Sequence, residues 1–200
     1  MEHVCRAYKP RSSEYIELFG STTAVHRDDL ALITRYLSIR SGLVLDVGCG
    51  PGHLTAHLRS LGVDATGIDL APEFIEHAHA TYPDGRYQIG SMHQLSQPNG
   101  SVAGMLAWYS LIHLPPADID SVLIELRRVL KTGSPLVIGF FDGDELVAFD
   151  HAVLPAYYWP ADELAAKLQA VGFAEVERHL RPGNDQPGHR PHGTIVAIAR

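Results

Sequence analysis

The stretch that decides the fold is Leu43-Val44-Leu45-Asp46-Val47-Gly48-Cys49-Gly50-Pro51-Gly52. An apolar run bounded by glycine is typical of a buried strand, and alternating glycines allow positive φ and a close approach of the backbone to a ligand. Residues 53–61 then place apolar side chains at helical spacing and end before Gly62. The sequence therefore predicts a strand, a ligand-binding turn and a helix.

Strand-turn-helix units of this kind bind nucleotides, because the N-terminus of the helix offers unpaired N–H groups. A dinucleotide fingerprint requires a small residue three positions after Gly50, where this chain has His53. Asp46, two residues before the first glycine, would repel phosphates and attract a cation. These two residues disfavour NAD and favour a positively charged cofactor.

The segment from Asp46 to Gly52 resembles the first motif of the class I S-adenosylmethionine-dependent methyltransferases. The resemblance implies S-adenosyl-L-methionine as cofactor, S-adenosyl-L-homocysteine as product, and transfer of a methyl group to a small-molecule acceptor by in-line displacement. It also implies that the cofactor contacts Asp46, Gly48, Cys49, Gly50 and Gly52.

Length and composition narrow the class of protein. A chain of 200 residues with 46% hydrophobic residues can bury one substantial core, which predicts a single domain over residues 1–200. A net charge of −7 indicates no basic stripe, and no apolar run approaches the roughly 20 residues that cross a bilayer, so neither nucleic acid nor membrane is an expected partner. Because Cys5 and Cys49 make no disulfide framework, we expect a cytoplasmic protein. We further expect a monomer or a homodimer.

Hydrophobic periodicity predicts an α/β fold with a doubly wound, seven-stranded sheet, mostly parallel, with helices on both faces and an antiparallel C-terminal hairpin. Residues 1–40 are expected to form an N-terminal helical lid, and residues 142–160 an insertion covering the substrate pocket. The predicted helices are 26–39, 53–61, 73–80, 116–130 and 161–171. The predicted strands are 43–47, 63–69, 86–90, 101–109, 135–141, 174–180 and 194–199.

A second acid completes the expected nucleoside site. Asp69 lies 21 residues after Gly48 at a strand end, where a carboxylate can accept both ribose hydroxyls. The resemblance assigns Asp69 this role and places Leu70 against the adenine. Many family members have Gly-Asp after the third strand, whereas this chain has Gly90-Ser91-Met92-His93. We expect Ser91 or a backbone carbonyl to contact the adenine edge, and Met92 to pack on its face.

The end of the fourth strand is expected to meet the methionine part of the cofactor, because ligands bind outside the carboxyl ends of the strands in open α/β sheets. Ala107, Trp108 and Tyr109 occupy that end. Tyr15 matches, through the resemblance, a tyrosine of the lid segment that folds over the cofactor.

Histidines are the candidate general bases, because histidine titrates near neutral pH and an acceptor hydroxyl, thiol or amine must lose a proton. His113, after the fourth strand, is the first candidate and His151, in the insertion, is the second. Tyr157, Tyr158 and Trp159 are expected to shape the acceptor pocket, and the segment 189–192 to place charge near its mouth. We expect no metal, since the histidines lack ligand spacing.

Two other functions stay open from the sequence. One is an NAD(P)-dependent oxidoreductase, which would bind NAD through the same turn. The other is a cofactor-binding module without turnover, for which the cleft histidines would have no role.

Overall fold

Strands and helices alternate along the backbone. The computed structural model describes residues 16–17, 20–151, 155–183 and 190–200. The helices of these residues are α1 (Arg27–Leu37), α2 (His53–Ser60), α3 (Pro72–Thr81), α4 (Ile119–Val129) and α5 (Ala161–Ala170). The strands are β1 (Val44–Val47), β2 (Ala65–Asp69), β3 (Tyr87–Ile89), β4 (Gly104–Trp108), β5 (Pro135–Asp142), β6 (Val147–Phe149), β7 (Ala156–Trp159), β8 (Phe173–Arg181) and β9 (His192–Ala199).

The main sheet has the order β3-β2-β1-β4-β5-β9-β8. The first five of these strands are parallel to one another, and β9 is antiparallel to both of its neighbours. The predicted mostly parallel sheet and its antiparallel C-terminal hairpin are confirmed. All seven predicted strands are present, with ends that differ by a few residues.

The insertion adds two short strands that the sequence analysis did not predict. β7 pairs parallel with the end of β5, joining Phe141 to Tyr158 and Asp142 to Trp159, and β6 pairs antiparallel with β7. β5 extends beyond β4, whose last pair in the sheet is Trp108 with Gly139. The free edge of β5 beyond that pair is therefore covered by the insertion.

Helices cover both faces of the sheet. On one face α1 and α2 bury leucine and isoleucine side chains against β1 and β4, and on the other face α4 and α5 do the same. In α4 the buried residues repeat at helical spacing, which keeps one apolar stripe on the sheet. They are Ile119, Val122, Leu123, Leu126 and Val129.

The predicted lid is only partly described. Residues 1–15, which include Tyr15, and residues 18–19 lie outside the described residues. α1 packs on the sheet, and Val25 and His26 just before it face the cavity described below. Within the described part of the chain, no helix combines the length and apolarity needed to span a membrane.

Candidate functional site

The glycine turn after β1 has the backbone conformation that its sequence predicts. Gly48 and Gly50 have φ of 73° and 51°, values that side-chain-bearing residues rarely adopt. A Cβ on Gly48 would also lie 2.3 Å from the Cβ of Ser110, so the space beside the turn admits only glycine. The N–H groups of Gly48 and Cys49 donate to the carbonyl of Ile68, which ties the turn to β2.

Gly52 is required for a different reason. Its φ is 86°, and a Cβ there would lie 2.7 Å from the Tyr87 ring and 2.8 Å from the Cβ of Ala78. These contacts place the start of α2 against α3 and β3. Gly52 therefore serves the packing of the turn and is not part of the cavity wall.

Asp46 is a buried acid beneath the turn. Its side chain is 1% exposed, and Oδ2 accepts a hydrogen bond of 2.7 Å from the Thr55 hydroxyl. Burial raises the pKa of Asp46 to about 7, the Thr55 bond opposes this shift, and the nearby charge of Asp69 adds to it. Asp46 lines the cavity, so a cationic ligand can compensate its charge.

Asp69 holds the glycine turn in place. Its Oδ2 accepts a hydrogen bond of 2.8 Å from the N–H of Gly50, and its Oδ1 accepts one of 2.9 Å from the N–H of Ala71. Burial raises the pKa of Asp69, and these backbone bonds oppose the rise. The carboxylate thus lies beside the turn at the carboxyl end of β2, where the sequence analysis placed it.

A cavity of about 390 Å³ extends from the glycine turn past the ends of β4, β5 and β9. Parallel strands bring their carboxyl ends to one edge, and antiparallel β9 begins at that same edge, since His192 pairs with Phe141. The wall includes Val25, His26, Asp29, Asp46, Gly48, Cys49, Gly50, His53, Trp108, Tyr109, Ile112, Phe141, His151, Arg181, Arg190 and His192.

The cavity brings together about half of the predicted site residues. Those in its wall are Asp46, Gly48, Cys49, Gly50, Trp108, Tyr109 and His151. Those placed outside its wall are Gly52, Asp69, Leu70, Ser91, Met92, Ala107 and His113. Ala107 is fully buried in the core, whereas Leu70, Ser91 and Met92 follow β2 and β3 and are partly exposed next to Asp69.

Tyr109 adopts a strained backbone conformation at the centre of the wall. Its φ of 50° makes it the one non-glycine residue with positive φ among those the structure describes. Its Oη lies 2.5 Å from Nδ1 of His192, and its ring lies 5.0 Å from that of Phe141, measured between centroids. Burial raises the pKa of the Tyr109 hydroxyl. Strain of this kind persists where surrounding contacts fix the residue and is frequent at functional sites.

The two candidate bases lie side by side, but only His151 faces the cavity. Its Nδ1 is buried with no hydrogen-bond partner in the described part of the chain, and its ring centroid lies 5.4 Å from that of His113. Burial and, to a smaller extent, the charges of His113 and Arg190 lower the pKa of His151 to about 4. His113 is held by the carbonyl of Pro155, 3.0 Å from its Nδ1, and burial lowers its pKa as well.

His53 also lines the cavity, at the position where a dinucleotide fingerprint has a small residue. Its Nδ1 is buried without a partner among the described residues, and burial lowers its pKa to about 4. The turn therefore carries a neutral imidazole where a dinucleotide fingerprint would leave room for a pyrophosphate. No group of three or more His, Cys, Asp or Glu side chains in the described chain is placed to hold a metal ion.

The sequence analysis missed a buried ion pair in the wall. Asp29 is 3% exposed; Nη1 of Arg181 donates to its Oδ1 over 2.7 Å and Nη2 of Arg181 contacts its Oδ2. The Thr194 hydroxyl donates to the same carboxylate. Asp29 reads as an ordinary acid in the first turn of a helix, and its partner is 152 positions away, so no local signal identifies the pair.

Comparisons with known proteins agree with this geometry. A family model described as a methyltransferase domain matches residues 44–133. The chain is 30% identical to O-methyltransferase rstn1 of Aspergillus nomiae, over 72% of the chain and 69% of that protein. It is also 30% identical to a malonyl-[acyl-carrier protein] O-methyltransferase of Erwinia billingiae, over 76% of the chain and 62% of that protein.

A solved structure has the same fold. The 1,6-didemethyltoxoflavin-N1-methyltransferase of Burkholderia thailandensis superposes with a TM-score of 0.81 at 21% identity, covering 99% of this chain and 88% of the other. The chain spans about three fifths of the length of the first curated relatives that it matches. With the acid-glycine turn, the strand order and these matches together, the chain belongs to the class I S-adenosylmethionine-dependent methyltransferases.

Proposed function

We propose that the protein transfers a methyl group from S-adenosyl-L-methionine to a small-molecule acceptor. One observation carries the proposal: a single cavity joins the glycine turn to a wall of aromatic and histidine side chains. A methyl group moves in line from donor to acceptor, so both molecules must meet in one water-excluding space.

The residues around the turn fit this cofactor. The space beside Gly48 excludes a Cβ, and the buried carboxyl group of Asp46 faces the cavity with no described cation among the groups that shift its pKa. Asp46, Gly48, Cys49 and Gly50 would hold the amino-acid end, which carries an ammonium group. When bound, S-adenosyl-L-methionine supplies an electrophilic methyl group on a positively charged sulfur.

The nucleoside part of the cofactor would bind at the partly exposed surface formed by the residues that follow β2 and β3. Asp69 would bind the ribose hydroxyls through the lone pairs that its two backbone bonds leave available. Leu70 and Met92 offer apolar surface for the adenine, and Ser91 a polar contact at its edge. The side chain of Ala107 is buried, so Ala107 would contact the methionine part of the cofactor only through its backbone groups.

On the acceptor side, Trp108, Tyr109 and Phe141 form a wall that excludes water, and His151 is the candidate base. Its ring lines the cavity and is neutral at pH 7, so it can accept a proton from the acceptor, although the lowered pKa makes it a weaker base than an exposed histidine. His113 is better placed as a positioning residue that packs against His151. The curated relatives are named O-methyltransferases, which favours oxygen as the attacked atom. The Burkholderia structure contains bound 1,6-didemethyltoxoflavin and S-adenosylhomocysteine, which supports a small molecule as the acceptor.

Two observations weigh against the other functions. The His53 ring in the cavity disfavours the pyrophosphate of NAD(P), and the cavity extends well beyond the turn, which a binding module without turnover would not need. Calorimetric titration with S-adenosylhomocysteine, followed by transfer of labelled methyl from the cofactor into a metabolite mixture, tests the proposal. Binding without any methyl transfer would instead favour the module.

A further inference from the structure

Arg190 is a cavity-lining cation for which the described residues supply no carboxylate partner. The other arginine of the wall, Arg181, is neutralised by Asp29. Arg190 instead donates a hydrogen bond of 3.1 Å to the backbone carbonyl of Asp150, and its guanidinium lies 4.5 Å from the centroid of the Phe149 ring. The described part of the wall therefore keeps one positive charge without a counter-charge.

This charge lies beside the insertion, where Phe149 ends β6 and Asp150 and His151 follow. Asp46 belongs to β1, and Arg190 precedes β9 by two residues. In the strand order β1-β4-β5-β9, the backbone at Arg190 is three strands away from Asp46, and its guanidinium lies against Phe149 of the insertion. The cavity thus has an acid at the cofactor end and a cation at the acceptor end.

Flat rings line the space between these ends. The centroid of the Phe141 ring lies 5.0 Å from that of Tyr109, 5.4 Å from that of His192 and 5.7 Å from that of His151. The imidazole of His151, which also lines the cavity, adds a polar side chain to this wall. Such a surface suits a planar ligand with a polar substituent, since aromatic rings stack on it and His151 can bond the substituent.

We propose that the acceptor is an aromatic molecule with a carboxylate group, and that Arg190 binds this carboxylate while the ring lies on the Phe141 wall. The inference rests on the function proposed above and names its substrate class. A guanidinium presents parallel N–H donors to both carboxylate oxygens, and the bond is strengthened by charge. The methyl-accepting hydroxyl of the same molecule would then lie on the side of His151 and the glycine turn, and its proton would pass to His151.

The test compares two probes of nearly equal shape, 4-hydroxybenzoate and the uncharged 4-hydroxybenzamide. Calorimetry measures their affinities for the full chain saturated with S-adenosylhomocysteine, at pH 7.5 and with each probe at up to about 10 mM. The variants are Arg190→Gln, Arg190→Lys and, as a matched control, Arg86→Gln, which removes an exposed arginine outside the cavity wall.

We expect the wild type to bind the carboxylate about ten- to a hundredfold more tightly than the amide. Arg190→Gln should abolish the preference, Arg190→Lys should keep part of it, and Arg86→Gln should keep all of it. Equal affinities in the wild type, no binding of either probe, or an unchanged preference in Arg190→Gln would overturn the inference. If the protein does not bind S-adenosylhomocysteine in the first step, the proposed methyltransferase function itself is contradicted. This result is distinct from a loss of the carboxylate preference, which contradicts only the substrate class.

Discussion

The carboxylate of Asp69 is bonded to the glycine turn, with 2.8 Å between its Oδ2 and the backbone nitrogen of Gly50. Two motifs that lie 19 positions apart are thereby joined into one rigid unit at the ends of β1 and β2. The acid that would hold the ribose also fixes the turn that would hold the amino-acid end. Substitutions at Asp69 should therefore affect both the stability of the turn and binding.

Asp69→Ala should weaken binding of S-adenosylhomocysteine by on the order of 1 to 3 kcal/mol, because ribose and turn each lose an acceptor. Unfolding in urea should show a smaller loss of stability, about 1 to 2 kcal/mol, from the two backbone N–H groups left without their acceptor. Asp64→Asn, at an exposed acid outside the cavity, is the control. Unchanged affinity in Asp69→Ala would remove the ribose role.

Asp46 predicts a pH dependence of stability with a defined sign. Its folded-state pKa is about 7, above the ordinary value of 3.8, so the folded protein binds more protons than the unfolded chain between these values. Ionisation of Asp46 therefore lowers the free energy of unfolding as pH rises from about 4 through 7. Asp46→Asn should gain stability relative to the wild type between pH 5 and pH 8, measured by urea unfolding.

The matched control for Asp46 is Asp144→Asn, which changes an exposed acid. Its stability difference from the wild type should be nearly the same at both pH values. Asp46→Asn should also weaken binding of the cofactor and of its product by similar factors, because both carry the ammonium group that the carboxylate would hold. A stability difference for Asp46→Asn that does not change with pH would contradict the burial argument.

The Asp29–Arg181 pair predicts a large and specific loss of stability. Removing Arg181 leaves the buried carboxylate of Asp29 without its counter-charge, so Arg181→Met should lower the free energy of unfolding by about 3 kcal/mol. The exposed pair of Asp64 and Arg86 is the comparison, and its loss should cost less than about 1 kcal/mol. The double variant Asp29→Leu with Arg181→Met should recover much of the lost stability, and equal losses at both pairs would refute this account.

His151 predicts a loss of turnover without loss of cofactor binding. His151→Phe keeps a ring on the Phe141 wall and removes the base, so methyl transfer into a metabolite mixture should fall about a hundredfold or more. The affinity for S-adenosylhomocysteine should stay within about twofold of the wild type, because the glycine turn is untouched. The control is His179→Gln, which changes an exposed histidine. Turnover at the wild-type rate in His151→Phe would show that His151 is not the general base.

How far the sequence predicts the molecule depends on how local each signal is. The turn from Gly48 to Gly52 is encoded within a few residues, because alternating glycines and the flanking apolar run leave few other conformations. The same holds for α4, whose apolar stripe repeats along one segment. Both the turn and α4 could therefore be predicted from the sequence, together with the strands next to them along the chain.

Contacts between distant segments could not be predicted in this way. The pairing of β7 with the end of β5 depends on β5 being longer than β4, which neither segment encodes alone. The partner of Asp29 lies 152 positions away, and the cavity wall at Arg190 forms only when β9 folds back beside β5. The structure therefore adds the pair of Asp29 and Arg181 to the wall, whereas Trp108, Tyr109, His151 and the charge in segment 189–192 follow the sequence analysis.

The central claim is that the glycine turn binds S-adenosyl-L-methionine and not a dinucleotide. Calorimetric titration of the full chain with S-adenosylhomocysteine, and separately with NADH, tests it most directly. The account predicts saturable binding of S-adenosylhomocysteine at micromolar concentration, weakened in Asp69→Ala, and no binding of NADH. Binding of NADH with no binding of S-adenosylhomocysteine up to about 1 mM, in folded protein, would contradict it.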